Sequence, residues 1–300
     1  MPLSAEQIAG HPLTHEIMRA QSETLLKAYS AKPRLSSVFA TQQRWLMAHA
    51  ALGLHFARDP NDERSGFSAA RFFDVIRTYA VGSRNTADAF LKEMLNYGYI
   101  DYLPGGIDRR VRPMQPSQES IEALHGWMMA HLATLDALDN GGRFATYMDG
   151  GVTLGAMEPH IAVGLLTSQP IREPQRTFSL FTWLNNGGVV MDWLISGIAP
   201  TAPDVERIPT SVLSIADMAA WLKLSRSHLT RKLREAEAMG SIGWVGKRGR
   251  STMWVSRGFR SEYIMAQAQK LAVIDAAYEA VQSSAGFISP FSDVRVLSIA

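Results

Sequence analysis

Two short runs of lysine and arginine are the residues of this sequence best suited to chemistry, and the chemistry they suit is recognition of phosphate. One run, Asp108-Arg109-Arg110-Val111-Arg112, follows a helix-patterned stretch carrying Arg84, Asn85 and Lys92. The other, Gly246-Lys247-Arg248-Gly249-Arg250, follows a stretch carrying Arg226, Ser227, Thr230, Arg231 and Arg234. Such cations neutralise backbone phosphates, and arginine or asparagine near the start of a helix also matches base edges. Other chemistry lacks a frame. His11 and His15 are four apart, but only Glu16 is near enough to join them and Pro12 breaks the helix they would need. His125 and His131 lie too far around a helix to cooperate. There is no His-Glu-x-x-His, no Gly-rich loop ending in Lys-Ser/Thr and no Gly-x-Ser-x-Gly elbow. The absence of cysteine excludes disulfides, thiolate metal sites and cysteine nucleophiles. The expectation is no catalytic residue, no metal, no cofactor and no enzyme activity.

The elements that must position these cations can be read from Ser225 to Ser256. Ser225 caps a helix with Leu229, Leu233 and Ala236 inward and Arg226, Ser227, Thr230, Arg231 and Arg234 outward. The strand SIGWV, the turn GKRGR and the strand STMWVS follow. That order is a winged helix-turn-helix: a recognition helix for the major groove and a hairpin wing for phosphates or the minor groove. The same order runs from Ser83 to Pro113, where Ala87, Phe90, Leu91, Met94 and Leu95 form the inward stripe and Gly98 ends the helix. Arg109, Arg110 and Arg112 are the wing candidates there, as Lys247, Arg248 and Arg250 are in the second unit.

Shifting the chain by 142 positions superposes the two stretches, Ser83 on Ser225, Leu91 on Leu233, Gly98 on Gly240, and the reading carries that offset without a gap from Arg34 to Val111. The predicted fold is mainly α with small β-hairpin wings: tandem winged helix-turn-helix units joined by flanking helices with pseudo-two-fold symmetry. Residues 1–142 form the first repeat, with its reading unit at 68–116. Residues 143–284 form the second, with its unit at 210–257, and 285–300 are a tail. Around the units the spacing predicts helices over 13–30, 35–56, 118–138, 158–166, 176–198 and 260–281, with TAPDVERIPT as a linker.

At IDRRVRPMQPSQES the chain resembles MarR-type transcriptional regulators, which place an aspartate and two arginines in the wing and a small hydroxylated residue at the start of the last helix. The resemblance covers about Ser68 to Leu138. It departs from the family where Pro113 and Pro116 fall in the returning strand. It implies terminal helices that form a dimer interface, and a small aromatic effector held between the reading unit and those helices. Trp45, Phe72, Trp127, Met128 and Trp183 are the side chains for such a cleft, with membership of the ordinary core as the alternative for each.

Charge separates the two units. Seven Lys and Arg oppose two Glu from Ser225 to Trp254, whereas five oppose four acidic residues from Ser83 to Arg112. The second unit should bind DNA more strongly and less selectively, at an asymmetric site. The whole chain carries only +2, so the case rests on clustering. No signal peptide and no run near the roughly 20 apolar residues of a membrane span is evident, which suits a soluble, cytoplasmic protein. The expected partner is double-stranded DNA, bound by a monomer acting as a pseudo-dimer or by a homodimer. The alternatives are a plasmid-type replication initiator with tandem winged helices and a non-catalytic protein-interaction scaffold.

Overall fold

The computed structural model describes residues 1–38, 41–59, 61–62, 65–103, 112–174, 176–182, 184, 186–199, 204–283 and 291. Helices dominate. The first half contains α1 (Ala5–Gly10), α2 (Thr14–Ala31), α3 (Pro33–Val38), α4 (Gln42–Phe56), α5 (Ala69–Thr78), α6 (Arg84–Tyr97), β1 (Ile100–Tyr102), β2 (Met114–Pro116) and α7 (Gln118–Asp139). The second contains α8 (Arg143–Met148), α9 (Leu154–Thr167), α10 (Gln169–Arg172), α11 (Arg176–Thr182), α12 (Gly187–Ser196), β3 (Arg207–Pro209), α13 (Ile215–Trp221), α14 (Arg226–Ala238), β4 (Ile242–Trp244), β5 (Met253–Ser256) and α15 (Arg257–Ser283). Among the described residues no helix is long and apolar enough to cross a membrane.

A helix, a turn, a second helix, two antiparallel strands and a long helix occur in each half, and the same local chemistry makes them. Ser68 and Ser214 cap the first helix, Ser83 and Ser225 the second, each with its hydroxyl accepting a backbone N–H three residues on. The first helices end on left-handed Ala80 (φ 50°) and Lys223 (φ 53°), and equivalent bonds close them, Val81 N–H to Ile76 O and Leu224 N–H to Ala219 O. The long helices start at Ser117, which accepts from Ser120 N, and at Ser256, which accepts from Phe259 N.

These equivalences correct the ungapped offset. Ala80 is followed by three residues up to the capping serine, Lys223 by only two, so the first turn is one residue longer. The ladder pairs Tyr102 with Met114 but Trp244 with Met253, so the second hairpin is three residues shorter. The constant offset holds across the second helices and first strands and shifts on either side; the first helices differ too, the stretch from capping Ser68 to Ala80 being three residues longer than that from Ser214 to Lys223.

Other expectations also change. TAPDVERIPT is not only a linker: its end forms β3, which pairs with β5 in a sheet ordered β3-β5-β4. Three residues are too few for a periodicity signal, and Pro209 is tolerated because it lies in an edge strand. In the first half the matching contact is the Ser68–Pro113 bridge, beside which Met114 N–H donates to Phe67 O at 2.8 Å. Pro113 and Pro116 do not prevent pairing, since Pro113 O accepts Leu103 N–H at 2.9 Å and Pro116 faces Ile100 at the ladder's end. The helix expected over 35–56 divides into α3 and α4, the latter capped by Thr41. That over 176–198 divides into α11 and α12 around left-handed Asn186. The helix expected over 158–166 begins earlier, at Leu154 behind the Thr153 cap, and tolerates Pro159 within it. Short α1 and α8 escaped the sequence reading altogether.

The halves interleave. α4 packs on α9 and α2 on α12; α2 packs on α7 and α9 on α15; α1 packs on α15 and α8 on α7. One buried hydrophobic cluster runs from Met18, Met47 and Phe72 through Ile161 and Leu194 to Tyr263 and Ile274. Asp136 of α7 accepts the N–H groups of Arg143 and Phe144 at the start of α8 (2.9 and 2.8 Å), while Asp275 of α15 accepts Leu3 N–H before α1 (2.7 Å). The Arg143 guanidinium ties Asp139 to Asp275, both at 2.6 Å.

Candidate nucleic-acid interface and an internal cavity

α14 owes its position to one face. Leu229, Leu233 and Ala236 are fully buried, and removing the two leucine side chains from water contributes roughly 1.5–3 kcal/mol each. The opposite face presents Arg226, Ser227, Arg231 and Arg234 to solvent, with Thr230 half-buried beside them. Behind it the β4–β5 turn is closed by Val245 N–H to Thr252 O, Gly246 N–H to Ser251 Oγ and Arg250 N–H to Lys247 O, with Gly249 left-handed at φ 70°. Lys247 and Arg250 project from it into solvent. None of Arg226, Arg231, Arg234, Lys247 and Arg250 has a side-chain hydrogen bond or ion pair among the described residues.

Arg248 differs from its neighbours. Its Nε donates to Glu237 Oε2 at 2.9 Å, and Glu237 Oε1 also accepts Trp244 Nε1–H at 3.0 Å. Among the three cations of the turn it is the one that pins the hairpin to α14 rather than facing outward. A further cation went unread: Arg207 of β3 lies 4.5 Å from the Trp254 ring centroid on the same sheet. Nothing in a stretch that reads as linker points to it.

Among the described residues, the cations Arg84, Lys92 and Arg112 of the first unit have partners within it. Phe90, Leu91 and Met94 of α6 are buried and Arg84, Asn85 and Lys92 are exposed. Lys92 Nζ lies 2.7 Å from Asp88 Oδ2, and that hydrogen bond raises the lysine's pKa. Arg84 sits over the Phe73 ring at 5.2 Å and Arg112 over Tyr102 at 4.0 Å. Asp108, Arg109 and Arg110 lie outside the described residues.

Between the first unit and the interleaved helices is a cavity of about 600 Å³. Of the five residues expected in an effector cleft, Trp45 and Trp127 line it. Phe72 and Met128 do not; both are fully buried, Phe72 stacking on Phe90 at 6.0 Å, because their helix faces point into the core. Trp183 lies outside the described residues. The wall also includes Phe90, Tyr99 and Phe178, and its polar members include Lys32, His49, Glu122, Asp192, Gln267 and Lys270. His49 Nδ1 is 2.8 Å from Glu158 Oε1, both side chains buried, and burial pushes the Glu158 carboxyl up. His49 is flanked by Trp45 and Trp127, 5.0 and 5.1 Å between ring centroids.

No protein-family model, no curated protein and no solved structure matches this chain.

Proposed function

We propose that the protein is a sequence-specific DNA-binding regulator built as a MarR-like pair of winged helix-turn-helix units in one chain. The observation that carries this reading is the set of five exposed, uncommitted cations on α14 and the adjoining turn, Arg226, Arg231, Arg234, Lys247 and Arg250. Unpaired surface cations on a helix and its neighbouring hairpin suit a rod of phosphates, since none must break an internal contact to bind. The strand order β3-β5-β4 behind α14 supports the winged topology. The exchange of helices between halves supports a paired arrangement, because two contacts between halves have counterparts with the halves reversed: α4 on α9 with α12 on α2, α1 on α15 with α8 on α7.

In this reading α14 and its turn anchor the chain, and α6 adds selectivity through Arg84 and Asn85. The bound site is asymmetric. The experiment is a mobility-shift titration with genomic fragments across salt concentrations, followed by footprinting. The Arg226→Ala, Arg231→Ala double variant should retain wild-type circular dichroism, lose about 2 kcal/mol or more of binding and flatten the salt slope by about two units. An unchanged affinity in the folded variant removes α14 as the reading helix. Absence of DNA binding by the wild-type protein leaves a protein-interaction scaffold instead.

A further inference from the structure

Residues 285–300 read as a tail in the sequence, and beyond α15 the structure describes Phe291. That side chain is not at the surface. It is 1 % exposed and belongs to the same buried cluster as Met47, Leu54 and Ile161. Its seat is the joint between the halves, where α4 of the first packs on α9 of the second. A Cβ on Gly53 of α4 would lie 2.8 Å from Phe291 Cε2 and 3.0 Å from its Cζ, so the far edge of the ring lies against the bare backbone of that glycine. The same Cβ would lie 2.6 Å from Cβ of Ala162 on α9. Gly53 thus faces both the opposite helix and the ring, with no side chain to occupy the space the ring fills.

We propose that the α4–α9 joint is a binding slot for an aromatic side chain, and that the segment beyond α15 is its tethered ligand with Phe291 as the anchor. Two observations carry this. The ring is almost completely buried although it follows Ser283, the last residue of α15, by 291 − 283 = 8 positions. Its contact is with Gly53, a position where any larger residue would push the ring out. A phenyl ring removes a large apolar area from water while fixing only two side-chain torsions, so one such residue can anchor a segment. Being on the same chain, it competes for the slot at an effective concentration on the order of 1 mM, and a weak intrinsic contact suffices to keep the slot filled.

The position of the slot gives its occupant leverage. α4 packs on α5 and β2 of the first unit, and α9 packs on α15, which follows directly from β5 of the second. A ring seated at this joint holds the helix beside one reading unit to the helix that leads to the other.

This slot stands independently of DNA binding, and its test contains no DNA. Full-length Phe291→Ala, which vacates the slot, is titrated with a fluorescein-labelled peptide of residues 284–300 and read by anisotropy. The peptide should bind the variant saturably, and wild type about ten-fold or more weakly, because there the tethered ring competes. The same peptide carrying Phe291→Ala keeps Phe287 but should not bind. Saturating unlabelled peptide should also return the variant's lowered urea midpoint toward the wild-type value, as a ligand of the folded state does. Equal binding to the two proteins, equal binding by the two peptides, or no binding at all overturns the proposal. Failure of Phe291→Ala to fold overturns it as well, since the ring would then be part of the core and not a ligand of it. On wild type alone, chymotrypsin under native conditions should spare the bond after Phe291, and cleavage there as fast as in urea means that the ring is not seated.

Discussion

Asp192 and Lys270 are opposite charges in the wall of an apolar cavity, and burial sets the proton affinity of both. Burial raises Asp192 from 3.8 to about 6, against the pull of the Tyr263 hydrogen bond and of Lys270; burial lowers Lys270 from 10.5 to about 8, with Asp192 opposing. Because the folded-state pKa of Asp192 lies above its unfolded value, the folded protein keeps a proton that the unfolded chain has released. The resulting stability is complete below about pH 4 and is lost as pH rises through about 6. Asp192→Asn cannot ionise and still offers Tyr263 an acceptor. Its stability relative to wild type should therefore rise by about 1 kcal/mol between about pH 5 and about pH 7, read from urea midpoints at the two values. A difference independent of pH would mean that Asp192 does not titrate in this window. Neither residue could be picked out from the sequence, for a plain reason. The exposed arginines of α14 announce themselves through helical spacing beside a glycine turn, whereas Asp192, Gln267 and Lys270 lie on two separate helices and meet only through packing. The commitment of Arg248 to Glu237 is equally invisible, since eleven residues separate them and a hairpin brings them together.

α14 was legible because it carries its own start signal and apolar stripe, Ser225 capping where the sequence places it; Ser68, Ser83 and Ser117 cap α5, α6 and α7 in the same way. The breaks in the flanking helices were less so, because they depend on close approaches rather than on composition. Gly187 is the sharpest case. A Cβ there would lie 1.7 Å from Phe181 O, whereas one on adjacent Gly188 would meet nothing within 4 Å. The α11–α12 corner therefore requires the first glycine and merely tolerates the second. Gly187→Ala should cost several kcal/mol, as a forced backbone shift in a packed corner. Gly188→Ala, at the start of α12, should be neutral or stabilise by up to about 1 kcal/mol through helix propensity. Urea unfolding of the two variants side by side checks this, and equal effects would contradict the account of the corner. β3 illustrates the opposite limit: a three-residue strand has no pattern of its own and exists because β5 offers it a ladder.

At the scale of the molecule, the seam that looks like a domain boundary in the sequence is crossed by most of the packing. Residues up to 142 contain α5, α6 and the β1–β2 pair, yet their α2 and α4 bury their apolar faces on α12 and α9 of the other half, and α1 leans on α15. Arg143, just past the seam, is bonded to Asp136 and Asp139 before it and to Asp275 far beyond it. A half released from its partner exposes Met47, Leu54 and Met18, all fully buried in the whole chain. Each buried aliphatic side chain contributes roughly 1.5–3 kcal/mol, so losing several such contacts is comparable with the roughly 5–15 kcal/mol that typically separates folded from unfolded. The full chain should accordingly unfold in one transition, with coincident fluorescence and circular dichroism midpoints. Fragment 1–142 alone should lack a cooperative transition or self-associate, and should recover one when mixed with 143–300. Independent, sharp unfolding of the isolated fragment as a monomer would mean that each repeat carries its own sufficient core. The exchanged helices would then serve to fix the relative placement of α6 and α14 rather than to hold either unit together.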